Sequence, residues 1–380
     1  MTEPQVPPIP DDDVIARHVQ TMLDRDSQNV GLDGQQDRLL LMLTRSCELR
    51  CSYCFVRLTE DAAGEDFVGE YRPHGEATPT ALGDMPLSTA KQGVDWLLRS
   101  TRKRLGVQFF GGEPARRWDV LVETLQYLKS HPERHGREVE VLFTTNGLGL
   151  SPDRLHEIKE FDVRIQFSLD GDAHASRFRR GHLLSQDAAS EGIEATIDAL
   201  NSSGVWWFMN ATLPPACSGD VLDRYHWALE RGVPALQINY VTGMHWNADQ
   251  VRAYLQGIQQ MLLHHHAHPD GIQLFNWFNE ADPVPLCGDI IVDVDGQVYQ
   301  VGALFHEKRS PELKAAYRVG DVADPALPFT NTRLTLSELA RRTHEALASK
   351  EKQRQVFFDN VRLGAAVDLV VQHMKDQVGK

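Results

Sequence analysis

Three cysteines that lie within eight residues constrain this chain more than any other feature. They follow the apolar segment Leu39–Leu43 with the spacing C-x₃-C-x₂-C, as Cys47, Cys51 and Cys54. Soft thiolates are preferred ligands of iron–sulfur clusters, and each of the four irons in a cubane [4Fe–4S] cluster takes one. Three thiolates therefore leave the fourth iron open to a small molecule. The alternatives are a zinc site or three unrelated thiols, but structural zinc usually takes four ligands in two pairs, and no fourth ligand lies nearby.

A second motif ends an apolar strand and reads V-Q-F-F-G-G-E-P. Its glycines, Gly111 and Gly112, let the backbone approach a ligand closely. Their N–H groups, together with the carboxylate of Glu113, can hold a group that carries an ammonium. Two later segments also end apolar strands with polar residues and a glycine: F-T-T-N-G at 143–147 and F-S-L-D-G at 167–171.

These four motifs, in this order, resemble the radical S-adenosylmethionine (radical SAM) superfamily. The resemblance implies that Cys47, Cys51 and Cys54 bind one [4Fe–4S] cluster, and that SAM chelates its fourth iron through the amino and carboxylate groups. It also implies a set of SAM-binding residues at the strand ends. This set comprises Tyr53, Gly111, Gly112, Glu113, Asn146, Ser168 and one of Arg177 or Arg179. Glu113 would bind the SAM amino group, Ser168 its ribose and the arginine its carboxylate.

Strands and helices alternate between residues 39 and 241, which predicts parallel βαβ units. Six such units fit the α/β fold of the resembled family, a partial (β/α)₆ TIM-like barrel with its chemistry at the carboxyl ends of the strands. A small α+β extension is expected after it. We therefore divide the chain into an N-terminal arm (1–36), a radical SAM core (37–245) and a linker helix with the extension and C-terminal helices (246–380). The six expected strands are Leu39–Thr44, Gly106–Phe110, Val139–Thr144, Val163–Leu169, Val205–Thr212 and Ala235–Val241.

Two segments lie outside this alternation. The first 36 residues are rich in Pro and Asp, with one helical stretch near Val14–Leu23, and are expected to form a mobile or loosely docked arm. The segment Arg57–Met85 shows no periodicity and is too long for an ordinary connection. Because it follows the cysteines, we expect it to cover the cluster or the active site.

Charge and composition exclude several classes of protein. The formal net charge of −14 repels phosphate backbones and argues against a nucleic-acid partner. No apolar run approaches the ~20 residues of a membrane span, and the first residues lack the regions of a signal peptide. Five cysteines, an odd number with three assigned as ligands, favour a reducing compartment over disulfides. We therefore expect a cytoplasmic protein that binds neither nucleic acid nor membrane.

Side chains that alternate along the strands predict one polar face. Fully buried parallel strands usually read as near-continuous apolar runs, whereas here one face is repeatedly polar. The polar positions are Gln108, Arg164, Gln166, Ser168, Asp170, Asn210, Thr212, Gln237 and Asn239. This pattern indicates a hydrogen-bonding lumen suited to a polar substrate. Alternatively, some of these groups pair with one another or with SAM.

The segment 285–301 predicts a two-stranded hairpin that turns at Gly296. Together with the helical stretch Leu336–Leu347, it resembles the SPASM or twitch extension, in which cysteines bind auxiliary clusters. Only Cys287 is present here, Val301 stands where the second cysteine is expected, and no cysteine follows. One thiolate cannot hold a cluster, so we predict a cluster-free remnant and one cluster in the whole chain.

The fifth cysteine, Cys217, lies just past the fifth expected strand. A free cysteine is most often a small buried hydrophobe. Its loop nevertheless belongs to the catalytic end of the expected barrel, and a thiol S–H bond is weaker than most C–H bonds. Two hypotheses therefore stand: Cys217 is a packed core residue, or it donates a hydrogen atom to a substrate radical, with Cys287 as the second choice.

The resemblance implies a reaction as well as a fold. An external one-electron donor of flavodoxin or ferredoxin type would reduce the cluster, SAM would be cleaved to methionine and a 5′-deoxyadenosyl radical, and that radical would abstract a hydrogen atom from a substrate C–H bond. The net outcome would be epimerisation, bond formation or rearrangement.

The substrate is less constrained. About 38 residues precede the first expected strand, too few for the winged peptide-binding domain of many peptide-modifying members. We therefore expect a polar small molecule or a leader-independent peptide. Maturation of a ribosomally made peptide or protein is an alternative. A non-catalytic iron–sulfur redox sensor or scaffold is an alternative of another class, but a sensor needs no SAM pocket, so Glu113 and Ser168 argue against it.

Overall fold

One mixed sheet organises the protein. The computed structural model describes residues 8–28, 38–49, 51, 53–54, 56, 83–172, 174–175, 186–269, 271–278, 284–300, 302, 311–329 and 333–378. The strands of this part are β1 (Arg38–Thr44), β2 (Arg104–Gly111), β3 (Glu138–Thr145), β4 (Val163–Ser168), β5 (Trp207–Leu213), β6 (Ala235–Tyr240), β7 (Gln273–Leu274), β8 (Ile290–Val292), β9 (Gln297–Gln300) and β10 (Arg318–Asp321). They are ordered β10-β9-β8-β1-β2-β3-β4-β5-β6-β7.

The strands β1 to β7 are parallel, each paired with the next along the chain. This arrangement brings all their carboxyl ends to one edge of the sheet, where a parallel barrel builds its site. The six predicted strands are present with their ends within two residues of the expected positions. The predicted α/β fold of partial TIM-like type is confirmed, and β7 extends it by one short strand.

The helices that connect the strands cover one face of the sheet. On that face Phe109, Phe143, Phe167, Met209 and Ile238 are at most 1% exposed, and they form the core. The helices are α1 (Asp12–Gln28), α2 (Leu87–Leu98), α3 (Trp118–Ser130), α4 (Pro152–Lys159), α5 (Gln186–Ser203), α6 (Val221–Glu230), α7 (Ala248–Ala267), α8 (Phe275–Phe278), α9 (Pro311–Ala316), α10 (Leu336–Ala346) and α11 (Glu351–Val378).

Several helix starts follow directly from the local sequence. Ser151 caps α4 with its hydroxyl, which accepts the Arg154 N–H, and a proline occupies the first helical position. Asn247 forms a reciprocal capping box with Gln250 at the start of α7. The C-terminal helices expected from the sequence include the 28-residue α11, whose bounds were not predicted.

The C-terminal hairpin continues the same sheet instead of forming a layer of its own. Strand β8 pairs in parallel with β1, and β9 returns antiparallel to β8. The predicted turn is present: Gly296 has a φ of 86° and donates its N–H to the Asp293 carbonyl. Strand β10 then pairs antiparallel with β9. The hairpin therefore lies beside the strand that leads into the cysteines.

The N-terminal helix α1 packs on the C-terminal helices, although the sequence led us to expect a mobile or loosely docked arm. Ile15 and Met22 are buried on it. His18 Nε2 lies 2.7 Å from an Asp368 carboxylate oxygen on α11, and the Ser337 hydroxyl donates to the Leu23 carbonyl. Apolar burial and these polar contacts hold α1 in place. The expected division of the chain at residues 36 and 245 stays a prediction.

Two further expectations concern segments between the elements. The predicted cover over the site falls on residues 57–82, which lie outside the described part of the chain. Among the helices that are described, none is both long and apolar enough to cross a membrane.

Candidate functional site

The site begins where β1 leads into the first cysteine. At the end of the strand and just beyond it, the backbone of residues 44–46 forms hydrogen bonds to the loop of Gly111, Gly112 and Glu113, the G-G-E loop. Gly112 donates its N–H to the Thr44 carbonyl at 2.7 Å, and Glu113 donates its N–H to the Ser46 carbonyl at 2.8 Å. The loop that carries Cys47 and the loop that carries Glu113 are therefore joined by main-chain hydrogen bonds.

Glycine is required where these two loops meet. A Cβ atom on Gly112 would lie 2.3 Å from the Ser46 carbonyl oxygen, and one on Gly111 would lie 2.2 Å from the Thr44 oxygen. Gly111 also has a φ of 143°, which side-chain-bearing residues rarely adopt. The two glycines predicted to permit close approach to a ligand thus already permit close approach of one loop to the other.

The Glu113 carboxylate is buried and fixed in place. Its Oε1 accepts hydrogen bonds from the Ala115 N–H and the Thr145 hydroxyl, both at 2.9 Å, and its Oε2 accepts one from the Asn146 N–H at 2.6 Å. Only 1% of Glu113 is exposed, and this burial raises the pKa of the carboxyl to about 7. A carboxylate has about four lone-pair positions, so these three donors leave capacity for an N–H group of a ligand.

Asn146 joins Glu113 to the first cysteine. While its backbone N–H binds Glu113, its side-chain Nδ2 lies 3.6 Å from Cys47 Sγ. The Leu49 N–H also donates to Cys47 Sγ, at 3.3 Å. N–H donors to a cysteine sulfur are one of the means by which proteins tune iron–sulfur clusters. The motifs at the ends of β2 and β3 thus both converge on Cys47.

The donor set of the cysteine loop fits an iron–sulfur cluster. Cys47, Cys51 and Cys54 are half-buried thiols outside any disulfide. Burial raises the pKa of the Cys47 thiol to about 12, so a thiolate there needs a cation to stabilise it, and the irons of a cluster supply that charge. Within the described residues, no three His, Cys, Asp or Glu side chains converge on a position for a single metal ion.

Tyr53 connects the cysteine loop to the segment that follows β4. Its hydroxyl donates a hydrogen bond to Asp170, just past the end of β4. The other oxygen of that carboxylate accepts the Thr212 N–H at 3.0 Å. Asp170 is buried. The sequence placed it in the F-S-L-D-G motif and on the polar face of its strand, but indicated no partner or role for it. A role for Tyr53 in binding SAM stays a prediction.

The structure brings the other expected SAM residues together only in part. Ser168 is half-buried at the end of β4, opposite Asn210 of β5. Arg177 and Arg179 lie outside the described residues. The cofactor assignments of these three residues therefore stay predictions.

In the described part of the chain, the polar face of the sheet is less buried than the opposite face. Gln166, Asn210 and Asn239 are half-buried on it. Some of its groups pair with one another: Gln108 donates to the Thr144 hydroxyl at 2.9 Å, and Asn239 donates to the Asn210 side-chain oxygen at 2.8 Å. The alternative that polar groups satisfy each other thus holds for these pairs.

Toward the amino ends of the strands this face becomes aromatic. The rings of Phe208 and Phe275 lie 4.8 Å apart, centroid to centroid, and Trp206 packs against both. Arg164 lies over the Trp206 ring at 5.4 Å. The face therefore has an apolar floor at the amino ends of the strands and polar groups toward their carboxyl ends.

The two remaining cysteines differ in their surroundings. Cys217 is 3% exposed, and it packs in the apolar core after the end of β5. Cys287 is half-buried before β8. The position expected for the missing second cysteine of the extension, Val301, lies outside the described residues.

Residues 41–256, more than half of the chain, match the family model of the Radical SAM superfamily. The chain belongs to that superfamily. Membership implies a [4Fe–4S] cluster and SAM, in agreement with the cysteine and G-G-E loops described above.

Curated relatives and proteins of known structure are similar to this chain. The radical SAM cyclopropyl synthase TigE of Paramaledivibacter caminithermalis is 23% identical over 168 residues, 44% of this chain and 33% of TigE. The GTP 3′,8-cyclase of Corynebacterium glutamicum is 25% identical over 319 residues, 74% of this chain and 76% of that enzyme. The chain thus spans only a third of the first relative.

Among solved structures, native anSMEcpe with bound AdoMet superposes with a TM-score of 0.60 at 16% identity, covering 81% of this chain and 82% of anSMEcpe. Its complex with AdoMet and the Kp18Cys peptide gives 0.59 at 15% identity, over 81% and 82% of the two chains. At these identities the likeness establishes a shared fold.

Proposed function

We propose that this protein binds one [4Fe–4S] cluster through Cys47, Cys51 and Cys54, binds SAM beside it, and uses the pair to abstract a hydrogen atom from a C–H bond of a polar substrate. When bound, the cluster and SAM together supply a 5′-deoxyadenosyl radical, and the protein supplies orientation and exclusion of side reactions. The net reaction would be epimerisation, bond formation or rearrangement.

The observation that carries this proposal is the link through Asn146. One residue binds Glu113 with its backbone and Cys47 with its side chain. A cluster ligand and a buried carboxylate that can accept an amino group therefore lie in one hydrogen-bonded unit. A redox sensor or scaffold, the alternative of another class, would need the cysteines but not this carboxylate.

The residues around that hydrogen-bonded unit would have separate roles in binding SAM and in positioning the cysteine loop. Glu113 would accept an N–H of the SAM amino group, and Ser168 would meet the ribose. Arg177 or Arg179 would bind the carboxylate, because a guanidinium matches carboxylate geometry. Tyr53, held by Asp170, would fix the cysteine loop over the ends of β4 and β5.

The polar face of the sheet supports a proposal for the substrate class. Its half-buried amides lie above an aromatic floor, which favours a polar small molecule or a peptide over an apolar one. The complex of anSMEcpe with a peptide shows that a protein of this fold can bind one. Maturation of a ribosomally made peptide or protein is therefore the second candidate. The electron donor would be a flavodoxin or ferredoxin, in the cytoplasm.

The extension is proposed to be a SPASM- or twitch-like unit without its own cluster, because Cys287 is the only cysteine after residue 217. Anaerobically reconstituted protein should then hold about four irons per chain, one cubane. A content near eight irons that falls on replacing Cys287 with alanine would refute the single-cluster proposal.

The central experiment measures SAM binding and 5′-deoxyadenosine formation by the reconstituted, reduced protein. We expect both, and we expect Cys51→Ala to abolish the cluster and with it the product. Cys287→Ala serves as the matched control and should change neither. A protein that holds the cluster but neither binds nor cleaves SAM would be the sensor or scaffold instead.

The donor role of Cys217 is a separate proposal. If the thiol quenches the substrate radical, Cys217→Ala should still cleave SAM, while product formed in deuterated water should no longer carry solvent deuterium. Normal turnover with solvent hydrogen still incorporated would assign Cys217 to core packing alone.

A further inference from the structure

We propose that Asp293, in the turn of the C-terminal hairpin, is a positioning residue for the cofactor site and acts through Arg45. The proposal rests on the function proposed above and adds a task for the extension. The hairpin would hold residues 44–46, the segment that joins the cysteine loop to the G-G-E loop, in the geometry that binds SAM.

The contact between the two residues is a bidentate ion pair. Arg45 Nε lies 3.1 Å from Asp293 Oδ1, and Arg45 Nη2 lies 2.6 Å from Asp293 Oδ2. The side chains are 2% and 1% exposed. Two parallel hydrogen bonds fix the guanidinium plane in direction as well as in distance. The two residues lie 248 positions apart in the chain.

Asp293 is itself fixed by the hairpin. Its backbone N–H donates to the Gln297 carbonyl, and its own carbonyl accepts the Gly296 N–H, which closes the turn. Lys314 Nζ approaches Asp293 Oδ2 at 2.9 Å from α9. Although burial opposes ionisation, Arg45 and Lys314 keep the pKa of this carboxyl below its usual value. The extension therefore presents a fixed negative charge to the segment before Cys47.

The backbone of residues 44–46 also binds the G-G-E loop of the proposed cofactor site. The Thr44 and Ser46 carbonyls accept the Gly112 and Glu113 N–H groups. Arg45 lies between them, two residues before the first cysteine. Its side chain is bound to the extension while the adjoining backbone is bound to the G-G-E loop. A shift of Arg45 must therefore move the carbonyls on which the Gly112 and Glu113 amides depend.

The energetics of this buried ion pair favour a role in positioning residues 44–46 over a role in stabilising the fold. Desolvation of two buried charges offsets much of their attraction, and well-packed apolar residues often replace such pairs without loss of stability. What an apolar pair cannot reproduce is the directional, bidentate geometry. Lysine cannot reproduce it either, since it is a point charge on a flexible stem.

The test compares Asp293→Asn with Asp368→Asn. The control removes the same charge from another buried carboxylate, which binds His18 and Gln372 between α1 and α11 and contacts none of the site residues described. We expect Asp293→Asn to keep its iron content and to bind SAM about tenfold more weakly, which corresponds to ~1.4 kcal/mol. Asp368→Asn should leave SAM affinity within twofold of wild type, and Arg45→Lys should fall between the two.

A second measurement needs no cofactor. In the cluster-free protein, amide hydrogen exchange at Gly112 and Glu113 should be about tenfold faster in Asp293→Asn and Arg45→Lys, and unchanged in Asp368→Asn. This reports on the geometry of residues 44–46 alone. Arg45→Lys keeps the positive charge and serves if Asp293→Asn fails to fold.

The outcomes separate this proposal from the function on which it rests. If wild type fails to bind SAM while the exchange differences appear, the proposed function is refuted and the positioning link stands. If wild type binds SAM, and the variants lose only thermal stability with unchanged exchange and SAM affinity, Asp293 is merely structural and the inference is overturned.

Discussion

The carboxyl ends of β1 to β3 and of β4 to β6 are built in different ways. At the first group, loops meet backbone to backbone, and Gly111 and Gly112 leave no room for a Cβ atom. At the second group, side-chain contacts such as Asn239 to Asn210 and Asp170 to the Thr212 N–H accompany main-chain hydrogen bonds past the strand ends. The first half, where we propose that the cofactor binds (the cofactor half), is thus distinguished by glycines that leave no space for a side chain between its loops.

The two halves differ in how easily a substitution can change their contacts. A main-chain contact cannot be altered by one substitution without moving a whole loop, whereas a side-chain pair can be replaced by another pair of similar volume. We infer that the first half preserves a shared cofactor while the second half can be adapted to a particular substrate.

The most severe test of the comparison is Gly112→Ala. The new Cβ would lie 2.3 Å from the Ser46 oxygen and 2.7 Å from the Arg45 oxygen, both of them backbone atoms that cannot rotate away. Overpacking of this kind costs about 1–3 kcal/mol, up to roughly 100-fold in an equilibrium. We expect SAM binding by the reconstituted protein to fall by that order. It can be measured by equilibrium dialysis.

Gly219→Ala is the matched control, because a Cβ there meets nothing within 4 Å. It should bind SAM as wild type does. If Gly112→Ala binds SAM normally, the loops at β1 and β2 can separate, and the proposed rigidity of the cofactor half is wrong.

The next largest effect is expected for Glu113→Ala. Removal of a charged hydrogen-bond partner costs about 1.5–3 kcal/mol, so SAM affinity should weaken tenfold or more while the absorption spectrum of the cluster is retained. Glu157→Ala, which removes a more exposed carboxylate bound to Trp118 Nε1, should have no effect. Unchanged SAM affinity in Glu113→Ala would remove this residue from the site.

The pH dependence of SAM binding also tests the assignment of Glu113 to the SAM site. Burial raises the pKa of Glu113 to about 7, and only the ionised carboxylate accepts an N–H through both oxygens. Affinity should be fully present above this pKa and fall as the pH decreases through it. One pH unit below the pKa, about a tenth of the carboxyl is ionised, so up to tenfold weaker binding is expected between pH 8 and pH 6.

Titration of SAM binding in Glu113→Ala provides the control for that profile, because the alanine variant retains every other titrating group. Its affinity should vary less with pH than that of wild type. Parallel profiles for the two proteins would show that Glu113 does not titrate with binding.

The smallest effect belongs to the other half of the site. A double-mutant cycle of Asn210→Ala and Asn239→Ala should give a coupling of about 0.5–1.5 kcal/mol in the free energy of unfolding, as expected for one hydrogen bond. SAM affinity should stay within twofold of wild type in all three variants. A loss of SAM binding as large as in Gly112→Ala would erase the distinction between the two halves.

Local patterns in the sequence were enough to predict much of this protein. Strand–helix alternation and turn glycines predicted six strands and the hairpin turn at Gly296, because these signals act over a few residues. The spacing of Cys47, Cys51 and Cys54, together with the G-G-E-P motif, predicted the family. C-terminal helices were expected, but the bounds of α11 were not predicted, because its length and ending depend on the elements that it covers.

Only the tertiary structure decided which distant residues became partners. Nothing near Asp293 in the sequence points to Arg45, and nothing near Tyr53 points to Asp170, since each pair is brought together by the order of strands in the sheet. The same holds for Asn146, whose backbone meets Glu113 and whose side chain meets Cys47. The sequence by itself determined the kind of cofactor loop, through residue types that act locally. The tertiary structure determined what holds that loop in place, because burial and pairing are properties of the packed sheet.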